Sequence, residues 1–119
     1  MAESKLFLDL HDGAYPGEKV LVLDGVLNAS TATEFRDYVR SQPPDTLVVD
    51  MSRVRHIDSS GLGVIIGTYV SFETKSKRLL LAGVNDRVWD IFRTCKVDDV
   101  FTRYATVADA EHTVPSAAS

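Results

Sequence analysis

The sequence predicts a single α/β domain built on one mostly parallel sheet. Segments with the period of a β-strand alternate with segments of helical periodicity, and turn residues separate them. The chain has 119 residues, of which 45% are apolar, which suits one domain with its own core. Parallel strands joined through helices imply right-handed crossovers. We see no internal repeat and no linker to a second domain.

The first two elements are predicted to pair as a β-hairpin. Residues 5–11 (KLFLDLH) carry leucine at every second position, as a strand does. Residues 19–25 (KVLVLDG) form a second apolar run, and the DGAYPGE segment between them has the Gly and Pro content of a turn. We therefore expect these two strands to lie side by side.

A helix is predicted over residues 28–40 and a buried strand over residues 46–50 (TLVVD). The helix must end before the Pro pair at 43–44, because proline cannot continue a helix. Its candidate N-terminal caps are Asn28, Ser30 and Thr31, and its predicted buried face holds Ala32, Phe35, Tyr38 and Val39.

The second half of the chain continues the alternation of helices and strands. The predicted order is a helix after Asp58, a strand at 78–83, a helix at 84–95, an edge strand at 100–104 and a helical turn at 107–112. We place the domain at residues 5–112 and a flexible C-terminal tail at residues 113–119.

Charge and composition argue against several classes of protein. The net charge of −4 and the pI near 5.2 disfavour a nucleic-acid binder. The N-terminus lacks the pattern of a signal peptide, and no run approaches the roughly 18 apolar residues of a membrane span. A single cysteine, Cys95, cannot form an intramolecular disulfide, which fits a reducing, cytoplasmic location.

Several other residues are interpreted as structural. Cys95 continues an apolar helical stripe and is predicted to be a small buried residue, while Trp89 is predicted to pack at the edge of the core. The three histidines are far apart in sequence, so neither a metal site nor a cofactor is expected. Lys75, Lys77 and Arg78 are interpreted as a solvated helix end, with a patch for an acidic partner as the alternative.

The stretch HIDSSGLGVIIG, residues 56–67, carries the strongest functional pattern. On a helix of 3.6 residues per turn, Leu62, Ile65, Ile66 and Tyr69 fall opposite Ser60 and form the predicted core face. The stripe beside Ser60 holds Gly63, Val64, Gly67 and Ser71. Each glycine within a helix costs about 1 kcal/mol relative to alanine. Either the helix packs tightly on its own sheet, or another protein approaches this stripe closely, which we favour.

Four interpretations of the hydroxyls of Ser59 and Ser60 compete. A catalytic nucleophile would need a base and the G-x-S-x-G elbow, but Asp58 stands where that motif requires glycine. A phosphate cradle is matched weakly, since no lysine follows the glycines and Asp58 would repel a phosphate. A helix cap at Asp58 or Ser59 is expected on structural grounds and can coexist with the fourth interpretation, a modified serine.

Phosphorylation of Ser60 would act through charge. The start of a helix tolerates an anion well, and a phosphoserine carries about −1.5 to −2 charges at pH 7. Like charges facing each other in an interface cost several kcal/mol, which lowers affinity about a hundredfold or more. A phosphate on Ser60 would therefore evict a partner that rests on the stripe.

The segment VVDMSRVRHIDSSGLGVIIG resembles the signature of the STAS domain, in particular that of the anti-sigma factor antagonists. The downstream VNDRVWDIFRTCKVDDVF is similar to the third helix and final strand of that family. The resemblance implies the STAS fold, a single mostly parallel sheet of four to five strands with about four helices packed mainly on one side. It covers roughly residues 5–112.

The same resemblance implies a bacterial partner-switching protein that is not an enzyme. In the family, the unphosphorylated domain binds an anti-sigma factor, a serine kinase of the histidine-kinase-like ATPase type, and thereby frees the sigma factor. The kinase phosphorylates the second serine of D-S-S-G, here Ser60, with Ser59 as the alternative, and a PP2C-type phosphatase reverses this. We expect a monomer or weak dimer, with no nucleic acid and no membrane insertion.

The partner contact is expected around this motif. Its predicted residues are Asp58, Ser59, Gly61, Gly63, Val64, Gly67, Ser71 and Asn28. The family often shows G-E-[LIV]-D after the second strand, whereas this chain reads GVLN at residues 25–28, so both acids are missing. The alternatives are a STAS subunit of a lipid-trafficking ABC transporter, a stressosome scaffold component and, outside the family, a small nucleotide-binding protein.

Overall fold

The computed structural model describes residues 5–41 and 43–113. Strands and helices follow each other in the predicted order, with an antiparallel hairpin first. The elements are β1 (Leu6–Asp12), β2 (Glu18–Leu27), α1 (Ala32–Ser41), β3 (Thr46–Ile57), α2 (Ser59–Thr74), β4 (Arg78–Ala82), α3 (Asp86–Thr94), β5 (Arg103–Tyr104) and α4 (Val107–Glu111).

The five strands form one sheet in the order β1-β2-β3-β4-β5. Only the β1–β2 pair is antiparallel, with Leu8 opposite Leu23, and the pairs β2–β3, β3–β4 and β4–β5 are parallel. The prediction of a mostly parallel sheet that begins with a β-hairpin is therefore confirmed. Adjacent parallel strands place the ends of β2 and β3, and hence the loops that follow them, at the same edge.

The core lies mainly on one face of the sheet. Leu21 of β2 and Val49 of β3 are fully buried there against Phe35 of α1, Ile65 of α2 and Phe92 of α3. Alternate strand residues face the other side, where α4 covers a smaller cluster of Val20, Val48, Ala82 and Ala110. Helices thus pack mainly on one side, as predicted.

Strand β3 is much longer than predicted: it has 12 residues and ends at Ile57, not at Asp50. Two register shifts against β2 each leave one extra residue in β3. Its second half therefore buries Met51, Val54 and Ile57 at every third position, a spacing that strand periodicity does not detect. The bulged extension carries the chain directly to the start of α2.

Cys95 was predicted to be buried, and this prediction is wrong. Helix α3 ends at Thr94, and Cys95 is its C-terminal cap, with an exposed side chain. The helix ends one residue earlier than the sequence pattern indicates, and the last buried residue of its apolar stripe is Phe92. Trp89 is 6% exposed and stacks on Phe92 with 4.8 Å between the ring centroids, as expected of a residue at the core edge.

The C-terminal part of the sheet is shorter in the structure than the sequence pattern predicted. Strand β5 has two residues, where the sequence predicted five, because Phe101 is buried against Phe92 and not paired in the sheet. The predicted last helical turn is present as α4, and the Arg78 guanidinium donates a 2.8 Å hydrogen bond to the Thr113 carbonyl. The rest of the predicted flexible tail, residues 114–119, lies outside the described residues. Among the helices described, none is long and apolar enough to cross a membrane.

Candidate functional site

Asp58 fixes the start of α2 at the edge where β2 and β3 end. Its Oδ1 accepts a 2.9 Å hydrogen bond from the backbone N–H of Gly61, which makes it the N-cap of the helix. Its Oδ2 accepts a longer bond, 3.4 Å, from the N–H of Ala29 in the β2–α1 loop. The backbone N–H of Asp58 donates to the Leu27 carbonyl. One carboxylate therefore joins the start of α2 to the loop before α1.

Ser59 and Ser60 form the first turn of this 16-residue helix, and both are exposed. Within residues 5–41 and 43–113, neither hydroxyl makes a hydrogen bond. Asp58 is the N-cap and bonds the N–H of Gly61, so neither serine side chain is required as the cap of this helix. Both hydroxyls are accessible to another protein.

The three glycines of α2 have different roles. Apart from the adjacent backbone of α2 itself, a Cβ on Gly63 or Gly67 would meet no atom of the described residues within 4 Å, so neither glycine is required by packing on the sheet. A Cβ on Gly61 would lie 2.1 Å from the Leu27 carbonyl oxygen, and Gly61 is buried. The lack of a side chain at Gly61 lets α2 pack on the end of β2, so the fold itself accounts for this glycine, and its predicted contact with a partner stays a prediction.

The core face of α2 differs slightly from the predicted one. Leu62 and Ile65 are buried as expected, but Ile66 and Tyr69 are only partly buried, and Thr68 and Phe72 complete the face. Val64 and Ser71 are partly exposed beside the open glycines, so they remain on the predicted outer stripe.

The predicted stripe is one wall of a groove between α1 and α2. The groove has a volume of about 740 Å³, and Ser60, Gly63, Val64, Gly67 and Ser71 line it from α2. Ser59 is not among the groove residues. From the opposite side, α1 contributes Ala32, Thr33, Arg36, Val39 and Arg40. Nothing in the sequence indicated that the polar face of α1 would take part.

Asn28 organises the loop where the family pattern has an acid. Its Oδ1 accepts a hydrogen bond from the N–H of Ser30, and its carbonyl accepts one from the N–H of Ala32 at the start of α1. The hydroxyl of Thr31 donates to the Val26 carbonyl and is buried. This loop borders the start of α2 through the Ala29–Asp58 bond, which brings the end of the GVLN segment close to the two serines.

A second titratable cluster lies away from the groove, where α4 meets the β1–β2 turn. Glu18 is 2% exposed, and its Oε1 has no hydrogen-bond partner among the described residues. The N–H of Ala14 lies 3.2 Å from Glu18 Oε2 and 2.8 Å from Glu111 Oε2, so the two carboxyl groups share one donor. Burial and the Glu111 carboxylate raise the pKa of Glu18 to about 7.

Comparison with known proteins agrees with this architecture. The sequence model of the STAS domain matches residues 10–110. The anti-sigma-B factor antagonist of Listeria monocytogenes is 29% identical over 79 residues, which cover 64% of this chain and 69% of that protein. Its name states a role in sigma factor regulation for that relative.

Solved structures share the fold at lower identity. The anti-sigma factor antagonist from Mycobacterium paratuberculosis superposes with a TM-score of 0.83 at 22% identity, over 95% of this chain and 97% of that one. The anti-sigma factor antagonist SpoIIAA in its unphosphorylated form gives a TM-score of 0.72 at 20% identity, over 92% of this chain and 100% of that one. SpoIIAA from Bacillus has also been solved in its phosphorylated form, with a TM-score of 0.70 at 19% identity and the same coverage. With the sheet order, the four helices and the match over residues 10–110, these findings show that the chain belongs to the STAS domain family.

Proposed function

We propose that this chain is an anti-sigma factor antagonist whose binding to an anti-sigma factor is switched off by phosphorylation of Ser60. The name of the Listeria monocytogenes relative supports the general role. The observation that carries the switch is the position of Ser60: an accessible hydroxyl at the start of α2, beside two glycines that the fold itself does not require.

Ser60 is favoured over Ser59 by its place in the groove. Both side chains are exposed, but only Ser60 lines the surface that holds Gly63 and Gly67. A phosphate on Ser60 therefore enters the groove that a partner would cover, whereas one on Ser59 would lie at the rim of the contact. Since like charges in an interface cost several kcal/mol, the phosphate on Ser60 weakens binding about a hundredfold or more.

The fold can accept this modification without rearranging. The N–H groups in the first turn of α2 favour an anion, and the hydroxyl of Ser60 makes no hydrogen bond with the described residues that a phosphate would break. The phosphorylated form of SpoIIAA, which has the same fold, supports this tolerance. The chain then acts as a binding protein, and the chemistry belongs to a kinase of the histidine-kinase-like ATPase type and a PP2C-type phosphatase.

The remaining site residues surround Ser60. Asp58 and Ser59 lie at the start of the helix, and Asn28 shapes the loop that Asp58 contacts through Ala29. We assign these residues to the rim of the partner contact. Binding by the unphosphorylated protein would free a sigma factor, and because sigma factors act on the transcription machinery, this function places the protein in the cytoplasm.

Phosphorylation mapping tests the assignment. The protein is incubated with ATP and, one at a time, with each serine kinase of this ATPase type from the same organism, and the products are analysed by mass spectrometry. We expect one phosphate, on Ser60, and none on the Ser60→Ala variant, while Ser59→Ala is modified like the wild type. Phosphate on Ser59, or on neither serine with every kinase, would refute the proposal.

A further inference from the structure

The groove between α1 and α2 is lined by positive charges, although the protein has a net charge of −4. Its lining includes Arg36, Arg40 and Lys75 and no acidic residue. The apolar side chains of the lining are Val39, Val64 and Phe72, which we call the groove floor; Val64 is partly exposed and the other two are buried. A groove lined by basic and apolar side chains is complementary to a ligand with acidic and apolar sides.

The cations of the groove are available to a ligand. Arg40 and Lys75 make no ion pair or hydrogen bond through their side chains within the described parts of the chain. Among the residues that the structure describes, the one ion pair of Arg36 is with its neighbour Asp37, at 3.4 Å, and both side chains are largely exposed. Such exposed pairs contribute little, about 0 to 1 kcal/mol, and yield readily to a better partner.

The shape of the groove favours a helix as its occupant. Its α2 wall runs from Ser60 to Lys75, which is about 22 Å at 1.5 Å per residue. Four turns of a second helix fit this length. The open faces of Gly63 and Gly67 let such a helix approach α2 closely, as small residues do at helix contacts.

We propose that the α1–α2 groove is the docking site for an acidic amphipathic helix of the protein partner. The apolar side of that helix would rest on the groove floor, and its carboxylates would pair with Arg36, Arg40 and Lys75, in the helix-in-groove mode of recognition. This proposal rests on the proposed function for the identity of the partner, the anti-sigma factor, but the chemistry of the groove stands by itself.

The same arrangement explains how one phosphate could act on the whole contact. Ser60 lines the groove together with the three cations. A phosphoserine of about −2 charge reduces the three positive charges of the lining to roughly one. The phosphate thus repels an acidic helix and also neutralises the charge that attracts it.

A peptide titration tests the groove without any assumption about the partner. The probe is a synthetic 18-residue amphipathic helical peptide with Glu on its polar face, and the control peptide has Lys in place of every Glu. We expect amide NMR shifts at Gly63 and Gly67 with the acidic peptide and at least about tenfold weaker binding of the basic one. No shifts at millimolar acidic peptide, or equal binding of both peptides, would overturn the proposal.

Charge-reversal variants test the groove with the partner itself. Arg40→Glu with Lys75→Glu should weaken binding of the anti-sigma factor about a hundredfold, with the loss shrinking at high salt. The matched control is Arg87→Glu with Lys96→Glu, an equal charge change outside the groove lining, which should stay within about threefold of wild type. Equal losses of affinity in the two double variants would refute the groove as the docking site. If Ser60→Asp blocks binding while the Arg40→Glu, Lys75→Glu variant binds normally, the proposed function is supported and the proposal of an acidic helix in the groove is refuted.

Discussion

Asp58 Oδ1 accepts a 2.9 Å hydrogen bond from the backbone N–H of Gly61, and this bond sets where α2 begins. Gly61 in turn packs against the Leu27 carbonyl at the end of β2. The first turn of α2 is therefore held from both sides, and Ser60 lies between the two residues that hold it. The position of the serine hydroxyl follows from these constraints and not from any contact of its own.

Removal of the cap should destabilise the protein modestly. Asp58→Ala loses the bond to Gly61, and loss of an N-cap costs about 1 kcal/mol, typically within 0.5 to 2. Asp58→Asn keeps one oxygen for the Gly61 bond but loses the longer bond from Ala29, so it should be destabilised less than Asp58→Ala. Urea denaturation measures both variants, and equal losses in the two would show that the carboxylate charge, and not capping, is responsible.

Replacing the glycines of α2 by alanine should change the stability of the protein in opposite directions, depending on the position. Gly61→Ala places a Cβ 2.1 Å from the Leu27 carbonyl oxygen and should lower the free energy of unfolding by about 1–3 kcal/mol. Gly63→Ala and Gly67→Ala have open space and should each raise it by up to about 1 kcal/mol, because alanine is the better helix former. Thermal denaturation compares the three, and destabilisation by Gly67→Ala would contradict an open face.

A large side chain at Gly67 should separate binding from folding. Gly67→Leu fills the groove but meets no atom of the protein near its Cβ, so the variant should fold and yet bind the anti-sigma factor at least about tenfold more weakly. Circular dichroism verifies the fold, and calorimetry measures the affinity. Undiminished binding would mean that the partner contacts another surface.

The Glu18–Glu111 pair predicts that stability falls as the pH rises from about 5 to 7. Glu18 has a pKa of about 7 in the folded protein against 4.5 for the free side chain, so between these values the folded state holds a proton that the unfolded state has released. The free energy of unfolding should therefore decrease with pH in this window, by at most about 1.4 kcal/mol per pH unit. The decrease levels off roughly one pH unit above the pKa of Glu18, where both carboxyl groups are ionised.

The variant Glu18→Gln isolates this contribution. An amide keeps a donor for Glu111 but does not titrate, so the difference in unfolding free energy between wild type and variant should change across pH 5 to 7. His11 and His112 lie near Glu111, but they are present in both proteins and cancel in that difference. A difference that stays constant with pH would rule out a protonated Glu18.

Local patterns in the sequence were sufficient to predict most of the fold. The alternation of leucines in β1, the Pro pair after α1 and the D-S-S-G start of α2 each have a cause that lies within a few residues. The length of β3 was missed because its two bulges change the burial period from two to three. The exposure of Cys95 was missed because a helical stripe does not reveal the residue at which the helix ends.

The site was predicted only as far as one helix determines it. Ser60 and the stripe follow from the periodicity of α2, but the clash at Gly61 depends on the Leu27 carbonyl, 34 residues earlier in the chain. The basic wall formed by Arg36 and Arg40 depends on how α1 lies beside α2. Glu18 and Glu111 are remote in sequence but share the N–H of Ala14 as a hydrogen-bond donor. No sequence motif predicts such a pair of carboxyl groups.

The central claim is that charge on Ser60 controls binding of the partner, and calorimetry with stoichiometrically phosphorylated protein tests it most directly. The anti-sigma factor is titrated with the unmodified protein and with the protein carrying one phosphate on Ser60. We predict tight binding of the first and a dissociation constant at least about a hundredfold higher for the second. Equal dissociation constants for the two forms would contradict the account.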